Sequence, residues 1–218
     1  MPRPRGPLPP RISPPDLPRT LESVSGVGRR ADLEGARIRD LTDEVDAAHA
    51  RLTECTVDGA SVSRLDLTGA TLTDVDVIDL RATEFIARNG RWRTVRVTGG
   101  RIGTLDLSSA ELTGVALRGV RIDYLSLRGA NASDVIVADC SIGTVDLPLA
   151  TLSRVAFVDS RADEVATDGL RAEHVDLRGL DALALTSPES LRGATLSERQ
   201  VESLAVPLAR ALGIDVQD

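Results

Sequence analysis

Lysine is absent from this 218-residue sequence, so all 26 basic side chains are arginine, set against 33 acids for a formal net charge of −7. A surplus of acid repels free nucleic acid on average, and direct nucleic-acid binding is not expected. Ring-bearing side chains are almost missing: Phe85, Trp92, Tyr124, Phe157, His49 and His174 are the full set. With 42% hydrophobic residues the chain can still build a core, but one of small aliphatic side chains. Two histidines without ligand spacing exclude a zinc cluster of the usual kinds, and no metal residue is assigned. No nucleophile is paired with a base and no glycine-rich loop could cradle a phosphate, so catalytic and cofactor-binding residues, and a cofactor, are not expected; the chain is read as no enzyme. No apolar run approaches the ~18 residues of a membrane span, and the N-terminus lacks the apolar core of a signal peptide. A cytoplasmic protein without a membrane partner is the expectation. The two cysteines, Cys55 and Cys140, lie 85 residues apart and are expected to be reduced and buried.

Proline is the reverse case, since eight of eleven fall within the first eighteen residues. That density blocks both helix and sheet pairing, and residues 1–30 are expected to form a disordered or polyproline-like Pro/Arg-rich tail. The tail carries six arginines and two acids, whereas residues 31–50 carry two arginines and six acids. It is read as a solvated linker in preference to a partner-binding arm.

From Arg51 a period of five runs without insertion to about Leu185. Of the 27 positions Leu52, Val57, Val62 and so on to Ala182, 26 are apolar, Thr167 being the exception. Two residues before each lies a second set, Cys55, Ala60, Leu65 onward to Leu185, in which only Gly90, Gly100 and Ser160 are not apolar. One outward residue separates the two inward ones, as strand alternation requires, and the remaining two are rich in Thr, Ser, Gly, Asp and Arg, which suit a corner. At twenty residues the columns become uniform: Leu65, Phe85, Leu105, Leu125, Val145, Val165 and Leu185 form one, and Val75, Val95, Val115, Val135, Val155 and Val175 another. Four five-residue walls therefore close each turn, and every side chain lies on its counterpart in the next coil. Residues 51–185 make just under seven coils, a rod a little over ~30 Å long at about 4.8 Å per strand. Trp92 is assigned to core packing, with Gly90 in its own unit leaving volume for the indole.

The ends depart from this pattern. Ala31, Leu33, Ala36 and Ile38 repeat it with a shift of one residue, which implies a first coil and a four-residue correction between Ile38 and Leu52. Ser187–Pro188–Glu189 interrupts it, and Ala194–Thr195–Leu196 reads as one last unit. A helix then follows: Ser197 with Gln200 forms a capping box, Val201, Leu204, Ala205, Leu208 and Leu212 are expected on one face, and Gly213 stops it. Pro207 should kink or divide the helix. Residues 186–218 are expected either to cap the solenoid of residues 31–185 or to join two chains.

The units L-D-L-T-G-A-T-L-T-D (65–74), L-D-L-S-S-A-E-L-T-G (105–114) and L-S-L-R-G-A-N-A-S-D (125–134) resemble the pentapeptide-repeat family, written A-[DN]-L-x-x. The resemblance covers residues 51–185 closely and 31–50 and 191–198 loosely. It implies an all-β fold, a right-handed quadrilateral parallel β-helix. It also implies one precedent for function: quinolone-resistance members are dimers joined through C-terminal elements and imitate duplex DNA on type II topoisomerases, which makes DNA gyrase a candidate partner and a homodimer through the C-terminal helix a candidate assembly.

Two sets of outward residues bear on this. Asp66, Asp106 and Asp146 form one acidic column and Asp79, Asp139 and Asp159 another, and these are the residues expected to carry any DNA imitation. Arg81, Arg101, Arg121 and Arg161 form a basic stripe, with Asp123, Asp163 and Glu164 on the same wall as its expected intramolecular partners. Residues 51–185 carry 20 acids and 15 arginines, a modest net of −5 beside the dense charge of duplex DNA. The first expectation is therefore a rigid scaffold for a protein partner, and the alternative a DNA-imitating modulator of gyrase.

Overall fold

The structure, a computed structural model, describes residues 6–217; the first five residues of the expected tail lie outside it. Its strands stack in parallel into a β-solenoid of about eight turns, followed by two short helices. Register is constant through the middle: Val75 pairs with Val95, Val95 with Val115 and Val115 with Val135, each partner twenty residues on. The inward columns fill the interior, where Phe85, Leu105, Leu125, Val145 and Val165 are all fully buried.

Left-handed residues turn three of the four corners in the regular coils. Along one corner Glu54, Asp74, Thr94, Gly114, Asp134, Arg154 and His174 all have φ between 52° and 67°. A second corner runs Gly59, Asp79, Gly99, Gly119, Asp139 and Asp159, and a third His49, Gly69, Asn89, Ser109, Gly129, Leu149 and Gly169. Glycine, aspartate and asparagine tolerate this conformation best, which explains why they recur at those positions. Trp92, 1% exposed, packs beside Phe85 with ring centroids 5.8 Å apart. A Cβ on Gly90 would meet Ala87 O at 2.9 Å and Ala70 O at 3.2 Å, so neighbouring backbone excludes a side chain there, whereas Trp92 Nε1 at 3.5 Å is an ordinary contact.

The correction lies inside the strand Thr42–Asp46, where the register changes by one residue. Leu33, Arg37 and Ile38 pair with Leu52, Thr56 and Val57 nineteen residues on, Val45 pairs with Leu65 twenty residues on, and the register changes between Asp43 and Glu44. Pairing begins earlier than the composition indicated. Within the segment expected as a tail, the strand Glu22–Ser25 pairs with Ala36–Arg39, only fourteen residues further on. Val24 and Val27 pack on the core there, a local apolar signal that the proline-rich stretch before it masked.

At the other end Ser187 takes φ 57° and a 3₁₀ turn, Pro188–Leu191, leaves the repeat before Ala194–Thr195 rejoins it on Val175–Asp176. Helices α1 (Glu198–Ser203) and α2 (Ala205–Ala211) follow. The capping box is present: Gln200 N–H donates to Ser197 Oγ and Ser197 N–H to Gln200 Oε1 at 2.8 Å. The division falls at Leu204, in the turn before Pro207, whose ring nitrogen has no N–H for Ser203 O. At the end Gly213, φ 78°, closes a left-handed stop in which Ile214 N–H donates to Ala209 O at 2.9 Å.

Candidate functional site

The two acidic columns differ in what their carboxylates do. Asp66 accepts from Thr68 N–H at 2.9 Å and pairs with Arg64 at 3.2 Å. Burial pushes its pKa up, but the Thr68 hydroxyl and amide and the Arg64 guanidinium outweigh that and hold it below the usual carboxylate range. Asp106 accepts from Ser108 N–H at 3.0 Å and pairs with Arg88 at 2.8 Å. Asp146, 5% exposed, takes Arg128 and the Ser126 hydroxyl, each at 3.3 Å. This column closes turns and is neutralised within the chain. The arginines were missed as partners because they come from elsewhere: Arg88 and Arg128 each lie eighteen residues before their aspartate.

Asp79, Asp139 and Asp159 are exposed corner residues, and no ion pair engages them among the described residues. Gly99 and Gly119 separate Asp79 from the other two, so only Asp139 and Asp159 stand on adjacent coils.

On the arginine wall Arg81 aligns with Arg101, Arg101 with Arg121, Arg121 with Ser141 and Ser141 with Arg161. All four arginines are exposed. Asp123 engages Arg101 at 3.3 Å and Arg121 at 3.8 Å, and Arg161 donates to Ser141 Oγ at 2.9 Å. Among the described residues Asp163 and Glu164 form no salt bridge, and Arg81 and Arg161 have no carboxylate partner, so the one engaged acid serves two of the four arginines. Elsewhere opposite charges meet twenty residues apart, as in Arg64–Glu84, Arg91–Glu111, Asp76–Arg96 and Asp134–Arg154. Opposite sign at that spacing was a readable signal for these ladders.

The C-terminal helices are largely unpartnered. Leu204 and Leu208 are half-buried, but Val201 is 46% and Leu212 78% exposed and Ala205 is exposed too, so the five residues expected on one face are separated by the division at Leu204. Between α1 and α2 and the last full strand, Leu180–Thr186, runs an open groove of about 1120 Å³ whose lining includes Ala182, Leu185, Leu204 and Pro207. Leu183 on that strand is 83% exposed.

Cys55 and Cys140 are buried free thiols, and burial pushes both pKa values up. Among the described residues no group of three His, Cys, Asp or Glu could hold a metal ion, and no helix is long and apolar enough to cross a membrane.

No family model matches the chain, and no curated protein does. Solved structures of two trypsin-treated variants of QnrB1, described as a plasmid-mediated fluoroquinolone resistance protein, are similar to it at 15% and 14% identity. They cover 87% and 90% of this chain and all of their own, with TM-scores of 0.23 and 0.24. Likeness at that level bears on neither activity nor partner. What the chain itself shows is its repeat, 27 five-residue units stacked four to a turn in a parallel β-solenoid, the fold that the resemblance to the pentapeptide-repeat family implied.

Proposed function

We propose that the chain is a non-enzymatic scaffold that docks an acidic surface of another protein on the wall bearing Arg81, Arg101, Arg121 and Arg161. One observation carries this reading: of four exposed arginines across five adjacent coils, only Arg101 and Arg121 meet an acid among the described residues, and they share Asp123. Like charges stacked about 4.8 Å apart repel, and an acidic partner relieves that repulsion. A fluorescent poly-glutamate peptide is the test probe. Binding at low salt that weakens at least tenfold when the four arginines are replaced by serine, the residue found at positions 61 and 141 of the same column, supports the reading. Equal affinity for both proteins removes it.

The exposed Leu183, Val201 and Leu212 around the terminal groove support a second element, a homodimer through the C-terminal helices. A monomeric mass by light scattering at tens of micromolar would rule that out.

The alternative, a DNA-imitating modulator of DNA gyrase, draws support from the unpaired carboxylates of Asp79, Asp139 and Asp159. Gyrase supercoiling assays with and without a quinolone test it. An effect lost when the three aspartates become glycine, as at positions 99 and 119, favours imitation; no effect from the wild type excludes it.

A further inference from the structure

The N-terminal segment lies along the solenoid. Arg11 donates its backbone N–H to Asp134 Oδ1 at 2.9 Å, and Asp16 donates its own to Asp74 Oδ1 at 3.1 Å. Asp74 and Asp134 stand in the same left-handed corner column, sixty residues and therefore three coils apart. Five residues of polyproline helix rise about 15 Å, and three coils rise about 14 Å. The arm's donors thus match the spacing of the two acceptors, with the arm running against the direction in which the solenoid grows.

The arm also has sides. Pro7, Pro10, Ile12, Pro15 and Leu17 are half-buried at alternating spacings of three and two residues, whereas Leu8, Arg11, Ser13, Pro14 and Asp16 are exposed. The wall that starts at this corner carries Ala116, Ile136, Ala138 and Ala156 at outward positions, where the three alanines are nevertheless buried, and the Asp76–Arg96 pair stands in the same column. Small apolar side chains flanked by two carboxylates suit an extended chain that offers few N–H groups and a ridge of prolines.

We propose that this corner is a binding track for an extended, proline-rich peptide, that residues 7–17 fill it in cis, and that a partner carrying such a segment docks by displacing the arm. The proposal rests on the reading of the chain as an interaction module, but on a different wall from the arginines. Recognition requires an N–H at two positions five residues apart, so a proline at either position abolishes its contact. The tethered arm competes at high effective concentration, which makes the free site visible only when the arm is disabled.

The test keeps the full chain. Arg11→Pro with Asp16→Pro removes both donors and leaves the solenoid untouched. Asp74→Gly with Asp134→Gly removes both acceptors, and Gly114 shows that the column takes glycine in the left-handed conformation. A fluorescent peptide of residues 6–20 should bind the double-proline chain at least tenfold more tightly than the wild type, and adding the two glycine substitutions should abolish that binding. Amide exchange in the wild type should protect Arg11 and Asp16 relative to Ile12 and Ser13. A double-proline chain that fails to bind, binding that survives the glycine substitutions, or Arg11 and Asp16 amides that exchange as fast as their neighbours would each overturn the proposal. Serine at the four stripe arginines should leave peptide binding unchanged, so loss of the poly-glutamate reading does not touch this one.

Discussion

Thr167 breaks an otherwise apolar inward column, and its fully buried hydroxyl lies 2.7 Å from Thr186 O and 2.9 Å from Ser187 O. Those carbonyls belong to the point where the chain leaves the repeat, with Ser187 in the left-handed region, so the hydroxyl serves a backbone that has lost its regular partners. Ser160 does similar work: its Oγ donates toward Val158 O at 2.9 Å and accepts from Cys140 N–H at 3.1 Å. Thr167→Val keeps the shape and removes the donor, and should cost about 1–2 kcal/mol in urea denaturation, more than the same change at exposed Thr151. Charge at this scale sets an acid limit. The Arg154 hydrogen bonds hold Asp134 below the usual carboxylate range, and the Arg178 hydrogen bond does the same for Asp176. A carboxylate whose folded pKa is depressed contributes stability above its unfolded value of about 3.9, and that contribution is lost as pH falls through the folded value. Melting temperature should therefore hold from pH 7 to about 5 and fall below about 4, and Asp134→Asn should flatten part of that fall.

At the scale of elements, the C-terminal segment shows why a solenoid needs an end. Gln200 completes the capping box and also sends its Nε2 to Leu177 O at 2.7 Å and Leu180 O at 2.8 Å, two carbonyls that no further coil covers. Gln200→Ala removes both roles, and should raise amide exchange across Arg171–Thr186 while leaving the central coils unchanged; unchanged exchange there would show that the cap is dispensable. The sequence placed this helix, its box and its stop, because capping chemistry is local. It did not place the Gln200 amide on the last coil, since that contact joins residues more than twenty positions apart. The arm was illegible for a related reason. Prolines announce an extended chain but carry no register, and among the described residues the hydrogen bonds that fix residues 7–17 are two backbone amides aimed at distant side chains. The acidic column of Asp66, Asp106 and Asp146 was visible as a column, yet the arginines that neutralise it follow corner geometry that the five-residue period does not encode.

Across the whole molecule, apart from the N-terminal arm, which reaches coils three apart, each coil stacks on its neighbours, so stability is close to a sum of coil and interface terms. The middle coils are uniform, with Phe85, Leu105 and Leu125 stacked in line and buried. The ends are weaker: the first turns are shortened to fourteen and nineteen residues, and Leu185 in the last strand is half-buried. Leu105→Ala opens a cavity that two neighbouring coils bound, and should cost roughly 2–5 kcal/mol and lower the main unfolding transition. Leu185→Ala should cost less and act on the last coil alone. Amide exchange by mass spectrometry separates these cases, with protection expected to peak over residues 91–150 and to fall toward both ends. If Leu185→Ala instead lowered protection evenly along the rod, the coils would be unfolding as one cooperative unit, and the additive picture drawn from nearest-neighbour stacking would fail.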